Sequence, residues 1–183
     1  NHFGGLSGIS VDGYNGSSPT APATIIGNQC NVTISDASLM YGSYGLDNRG
    51  VDSRIERSMI WGFTGAMISS GANWYRNVKF NQPGTTAAFY AVYMTTTIPE
   101  LTSVAENHFT DSDFSGTYNY SIYMDDSTST KYVTTFQGTV FSSPVVIANA
   151  KATMFSAIEF GHTTLHVNSG YVNVVGSYAF SPT

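Results

Sequence analysis

Ala37-Ser38-Leu39, Ser58-Met59-Ile60 and Val78-Lys79-Phe80 each end on a large apolar residue, and those ends lie 21 and 20 residues apart. The frame returns as Ala157-Ile158-Glu159-Phe160 and Ser177-Tyr178-Ala179-Phe180, with Phe141 standing 19 residues before Phe160. Self-similarity at a fixed period marks stacked units, each too small to bury its own apolar face, that share one core. The units are rich in β-branched and aromatic residues. The expected fold is therefore all-β, a parallel solenoid of roughly 20–25-residue coils.

The rest of the chain agrees with strands. No stretch carries a convincing helical stripe. Short runs such as Asn31-Val32-Thr33-Ile34, Phe89-Tyr90-Ala91-Val92-Tyr93-Met94, Tyr120-Ser121-Ile122-Tyr123-Met124 and Tyr171-Val172-Asn173-Val174-Val175 alternate with turn-formers such as Asp12-Gly13 and Ser169-Gly170. The period breaks in the middle. After Phe80 the next similar frames end on Phe109 or Phe114, 29 or 34 residues on, and Phe141 follows Phe114 by 27. Longer inserted turns near residues 81–135 explain this, with 95–100 and 125–130 as the excursions. A leucine-rich repeat shares the period but not the Leu-rich pattern. An antiparallel sandwich would need more hairpin signals than Asn15-Gly16.

The 183 residues suit one domain, 1–183. Its first residues, Asn1-His2-Phe3-Gly4-Gly5-Leu6, read as the middle of a repeat, so an excerpt of a longer chain is expected. Charged residues are 10% of the chain and aromatics 14%, against roughly 25% charged in ordinary domains. Such a surface makes neutral hydrogen bonds and stacks rings, which suits sugars. The formal charge of −5 without a basic cluster argues against nucleic acid. No apolar run suits membrane insertion. Cys30 is the single cysteine, so no intrachain disulfide exists and it reads as a small apolar residue. The Asn-X-Ser/Thr sequons at Asn15, Asn31 and Asn119 are what so much Asn, Ser and Thr produces by chance. No phosphate cradle or nucleophile motif is present, and no cofactor or metal is expected.

If the recurring residue points inward, strand alternation turns the residues one and three before it outward. One file reads Ser38, Met59, Lys79, His108 or Asp113, Val140, Glu159, Ala179. Its companion reads Asp36, Arg57, Asn77, Glu106 or Asp111, Gly138, Ala157, Ser177. Few charges exist, and they gather beside the inserted turns.

Glu106, Asp111 and Asp113 are the candidate catalytic carboxylates. Asp111 and Asp113 flank Ser112 and would share a strand face, and carboxylates about 5–9 Å apart suit glycoside hydrolysis. The plainer reading is a solvated turn capped by its own Asp side chains. Trp61, Trp74, Tyr75, Tyr90 and Tyr93 are candidate sugar-stacking platforms or, equally, packing residues. Arg57, Lys79 and His108 complete the candidate substrate contacts. Asp125-Asp126 reads as a polar loop, and His162 with His166 lacks a third metal ligand.

The turns Ser53-Arg54-Ile55-Glu56-Arg57-Ser58-Met59-Ile60-Trp61-Gly62-Phe63 and Asn73-Trp74-Tyr75-Arg76-Asn77-Val78-Lys79-Phe80 sit on a Ser/Thr/Asn/Gly-rich background with one Cys. In texture and spacing over roughly residues 25–183, the chain resembles the shaft of a bacteriophage tailspike, in the pectin-lyase-like family of right-handed parallel β-helices. The resemblance implies a homotrimer on a virion tail, or a secreted or cell-surface relative, that binds host-surface polysaccharide. It also implies, in many relatives, acidic residues that hydrolyse or eliminate glycosidic bonds. Three functions follow: a polysaccharide receptor-binding module with or without depolymerase activity, a glycoside hydrolase or lyase, or a structural stalk.

Overall fold

The computed structural model describes residues 2–13, 20–27, 30–69, 72–81, 88–95, 105–125, 132–161 and 163–180. They form strands and turns with no helix. The strands make two sheets, one of eight and one of thirteen, and every pairing is parallel. Each strand of the eight-stranded sheet is followed in the chain by one or two strands of the other, so successive passes lay their strands beside those of the pass before. Most of segments 95–100 and 125–130, with Asp126 and His162, lies outside the described residues.

Two apolar files follow the register, buried from Ile34 to Phe155 in one and from Leu39 to Phe160 in the other. In the eight-stranded sheet the register aligns Leu6, Ile34, Ile55, Tyr75, Phe109, Phe136, Phe155 and Val174. In the other it aligns Val11, Leu39, Ile60 and Phe80, then Phe114, Phe141, Phe160 and Ala179. The expected file thus continues through Phe114, whereas Phe109 belongs to its neighbour. At the far end Ala179, not Phe180, stands opposite Phe160. Ring centroids along the files are 4.5 Å apart for Tyr75 and Phe109 and 4.6 Å for Phe80 and Phe114. That is about the 4.8 Å strand spacing, so each ring lies on the one below.

The files keep a constant offset of five residues: Ile34 with Leu39, Ile55 with Ile60, Tyr75 with Phe80, Phe109 with Phe114, Phe136 with Phe141, Phe155 with Phe160. Along a straight strand, residues five apart face opposite ways. Here both face inward because a corner intervenes. Gly8, Asp36, Arg57, Asn77, Asp111, Gly138, Ala157 and Gly176 all have positive φ, between 47° and 63°. These residues form the companion file, as corner residues rather than strand residues, and Gly176 takes the place expected for Ser177. From Gly8 to Ala157 each N–H donates to the carbonyl ending the strand of an adjoining pass, as from Asp36 to Glu56 and from Asn77 to Thr110.

Just after the corner the chain turns a small residue inward. Ser58 accepts the Ala37 N–H at 3.2 Å and donates to the Glu56 carbonyl at 2.7 Å, and Ser112 repeats this with Val78 and Thr110. Within the eight-stranded sheet Ser53, Asn73, Asn107, Thr134 and Thr153 align as a buried polar file. The Asn73 side-chain oxygen accepts the Ser53 N–H at 3.0 Å, one link between passes.

Candidate functional site

The corner divides the expected charge cluster in two. Asp36, Arg57, Lys79, Asp111 and Asp113 lie at the corner or just beyond it, whereas Glu106 and His108 lie on the outer face of the eight-stranded sheet. In the register next to the corner, Asp113 and not His108 stands opposite Lys79, and Tyr178 and not Ala179 stands opposite Glu159.

Asp36, Arg57, Lys79 and Asp113 are spent on ion pairs. Arg57 donates to both oxygens of Asp36 at 2.8 Å and reaches Glu56 at 3.2 Å. Those bonds hold the Asp36 carboxyl below its ordinary range and push the Arg57 guanidinium further up. Lys79 Nζ stands 3.9 Å from Asp113, whose Oδ1 also accepts the Ser115 N–H at 2.8 Å. The depression here, about 440 Å³ and lined by Asp36, Ser38, Arg57, Met59, Asn77 and Lys79, therefore offers a ligand ion pairs that are already closed.

The three candidate catalytic carboxylates do not converge. Asp111 does not share a strand face with Asp113: it sits in the positive-φ corner at φ 50° and leans over Gly138. Glu106 is five residues back, across about 16 Å of extended backbone. It faces His108, with Oε2 3.7 Å from Nε2.

Among the aromatic candidates, Trp61 and Tyr75 are buried, at 4% and 1% exposure. Trp61 packs edge-on against Tyr41 at 4.3 Å. The Tyr75 hydroxyl accepts from Asn48 at 2.9 Å and shares a hydrogen bond with Ser69 at 2.8 Å. Burial raises its phenol pKa. Both residues serve packing, and neither offers a ring face to solvent.

Trp74 is exposed, yet its faces are occupied. The register places Arg54, Trp74, His108 and Thr135 in one outward file. The Arg54 guanidinium lies 5.9 Å from the Trp74 ring centre, and His108 stacks on the other side at 5.6 Å with 17° between planes. His108 Nδ1 in turn hydrogen-bonds Thr135 at 2.7 Å. Trp74 presents an edge, not a platform.

Tyr90 and Tyr93 belong to a larger aromatic wall on the other sheet. Phe89, Tyr90, Tyr93, Tyr120 and Tyr123 make mutual ring contacts between 4.8 and 6.0 Å. Partial burial among these rings, helped by neighbouring phenols, raises the Tyr90 pKa, and Tyr44 behaves likewise. The sequence carried the signal: Tyr90-Ala91-Val92-Tyr93-Met94 and Tyr120-Ser121-Ile122-Tyr123-Met124 repeat one pattern, and their tyrosines and methionines are register partners.

The outer face of the eight-stranded sheet carries three depressions in a row across the strands. The first, about 430 Å³, is lined by Asn31, Thr33, Asp52, Arg54 and Trp74. The second, about 240 Å³, lies between Arg54, Glu56, Trp74, Arg76, His108 and Thr110. The third, about 410 Å³, includes Thr135, Gln137, Met154, Ser156, Asn173 and Val175. Arg54, Arg76, Thr110 and Thr135 were not singled out from sequence, because nothing local marks which outward residues border a groove. Among the described residues no three His, Cys, Asp or Glu side chains come together to hold a metal ion, and no helix is long and apolar enough to cross a membrane.

Comparison of the chain with protein-family models, with curated proteins and with solved structures finds no match.

Proposed function

We propose that the two sheets are walls of a right-handed parallel β-helix, and that the chain is a tailspike-like receptor-binding module whose eight-stranded wall holds a linear bacterial surface polysaccharide. The solenoid reading is supported by the alternation between sheets and by the two interior files held at a five-residue offset. The single observation that carries the function is the row of three depressions, running from Asn31 to Val175 across seven neighbouring strands. A groove crossing many strands suits an extended polymer better than a compact ligand.

The lining supports a sugar. Asn31, Thr33, Thr110, Thr135, Gln137 and Ser156 supply neutral donors and acceptors beside the Trp74 edge and Met154. Placement on a virion tail as a homotrimer belongs to the same proposal, with the tyrosine wall free on the other sheet. Binding is favoured over cleavage, since Glu106 and the Asp pair stand on different parts of the surface.

The test is surface plasmon resonance of the chain against capsular and O-antigen polysaccharides, with polymer mass followed by size-exclusion chromatography. Thr33→Tyr and Ser156→Tyr fill the first and third depressions and should each weaken binding at least tenfold. Tyr93→Ser on the other sheet should leave it unchanged. The converse pattern, or no binding to any polymer, rejects the proposal, while falling polymer mass would establish a depolymerase.

A further inference from the structure

Four arginines serve this chain, and the structure divides them evenly. Arg49 donates to both oxygens of the buried Asp47, at 2.6 and 3.0 Å for Oδ2 and 3.2 Å for Oδ1. Arg57 is held in the same bidentate way by Asp36. Arg54 and Arg76 have no carboxylate within 4 Å among the described residues, and both border the middle depression.

The reason is local. Glu56 is the register neighbour of Arg76 and would ordinarily pair with it, but its carboxylate is turned to Arg57 at the corner, 3.2 Å away. Arg54 has Thr33 and Trp74 as its neighbours in the file, both neutral. Asp52 borders the adjoining depression with Arg54 but forms no ion pair with it, and Glu106 is turned to His108. Two guanidinium groups thus border one groove without an ion pair within 4 Å, on a chain whose formal charge is −5. Thr110, the register partner of Arg76, adds a hydroxyl to the same groove.

We infer that this groove binds an oxyanion, a carboxylate, phosphate or sulfate group, between Arg54 and Arg76. Guanidinium forks match such groups in geometry as well as charge. The stack of Arg54, Trp74 and His108 fixes one fork in place before the ligand arrives, which lowers the ordering cost of binding. If the groove holds a polysaccharide, the repeating unit that sits here is an anionic one. The carrier therefore rests on the glycan reading, and the anion does not.

Trp74 forms one wall of the groove and Trp61 is buried, so intrinsic fluorescence reports on the site. Titrate the chain with inorganic phosphate, inorganic sulfate, sodium glucuronate and, as a neutral control, maltohexaose, at constant ionic strength. A saturable change with at least one anion is expected, and the anion that gives it identifies the group recognised. Arg54→Gln and Arg76→Gln, both at exposed positions, should each weaken that anion at least tenfold with an unchanged circular dichroism spectrum. Trp74→Phe should abolish the signal. No response to any anion, a response that persists in Trp74→Phe, or equal affinity in the arginine variants overturns the inference. A polysaccharide that binds wild type and Arg54→Gln/Arg76→Gln equally overturns it while leaving the glycan reading intact. Anion binding without binding of any polysaccharide does the reverse.

Discussion

Phe109 and Phe114 meet ring to ring at 5.9 Å, although they belong to different sheets and to different interior files. Each also stacks along its own file, Phe109 on Phe136 at 5.0 Å and Phe114 on Phe141 at 4.9 Å. Both are fully buried, so either Phe→Ala change removes ring contacts in two directions. Phe109→Ala and Phe114→Ala should each cost about 3–5 kcal/mol, read from urea unfolding. A loss below about 1 kcal/mol in either would mean the rings are not packed as described.

The corner suggests a stabilising change. Ala157 holds φ 52°, a conformation that costs an L-residue about 1–2 kcal/mol and glycine almost nothing. Ala157→Gly should raise stability by about 1 kcal/mol, after the extra entropy glycine gives the unfolded chain. The same change at a strand position such as Ala152 should lower it. Thermal melts of the two variants decide.

Ser58 holds two passes together by accepting the Ala37 N–H from inside the core. Ser58→Ala leaves that donor without a partner and should destabilise by about 1–3 kcal/mol. Ser58→Thr keeps the hydroxyl and should recover part of the loss, as denaturant midpoints would show.

Tyrosine ionisation should limit the alkaline stability of the fold. Burial raises the Tyr75 and Tyr118 phenols above the ordinary value. A folded pKa above the unfolded one gives a contribution complete below about pH 10 and lost as pH rises further. Absorbance at the phenolate band should show a late set of tyrosines released only with unfolding. A single smooth titration in a chain that stays folded would contradict this.

Asp36 gives the opposite sign. Arg57 lowers its pKa, so the pair contributes above the unfolded carboxylate value and fades as pH falls through the folded one. Both side chains are solvent-exposed, so the effect on overall stability is small. NMR titration should show the Asp36 carboxyl moving up toward its ordinary value in Arg57→Gln.

The doublet of Phe109 and Phe114 shows where sequence reading stops. Both residues fit the repeating frame, and a search for one interior file makes them rivals. Two files five residues apart accommodate both, and Ile55 with Ile60, Tyr75 with Phe80 and Phe136 with Phe141 repeat the offset in plain view. What hides it is the corner. A positive φ reverses the facing of every residue beyond it, yet Asp36, Arg57, Asn77, Gly138 and Ala157 share no side-chain type that would announce the turn. The tyrosine wall was more legible, since its two strands carry one pattern 30 residues apart.

From its sequence alone this chain is committed to stacked β units with an apolar, largely aromatic interior and a surface poor in charge. Burial of a residue recurring at a near-constant interval needs no knowledge of what lies beside it, so periodicity suffices. The fate of each charge was decided only in three dimensions. Whether an arginine is satisfied or left for a ligand depends on which side chain of the adjoining pass lies within about 4 Å. Glu56 turning to Arg57 rather than to Arg76 is such a choice, and it arises from the corner bringing Arg57 nearer, not from any property of the three residues read in order.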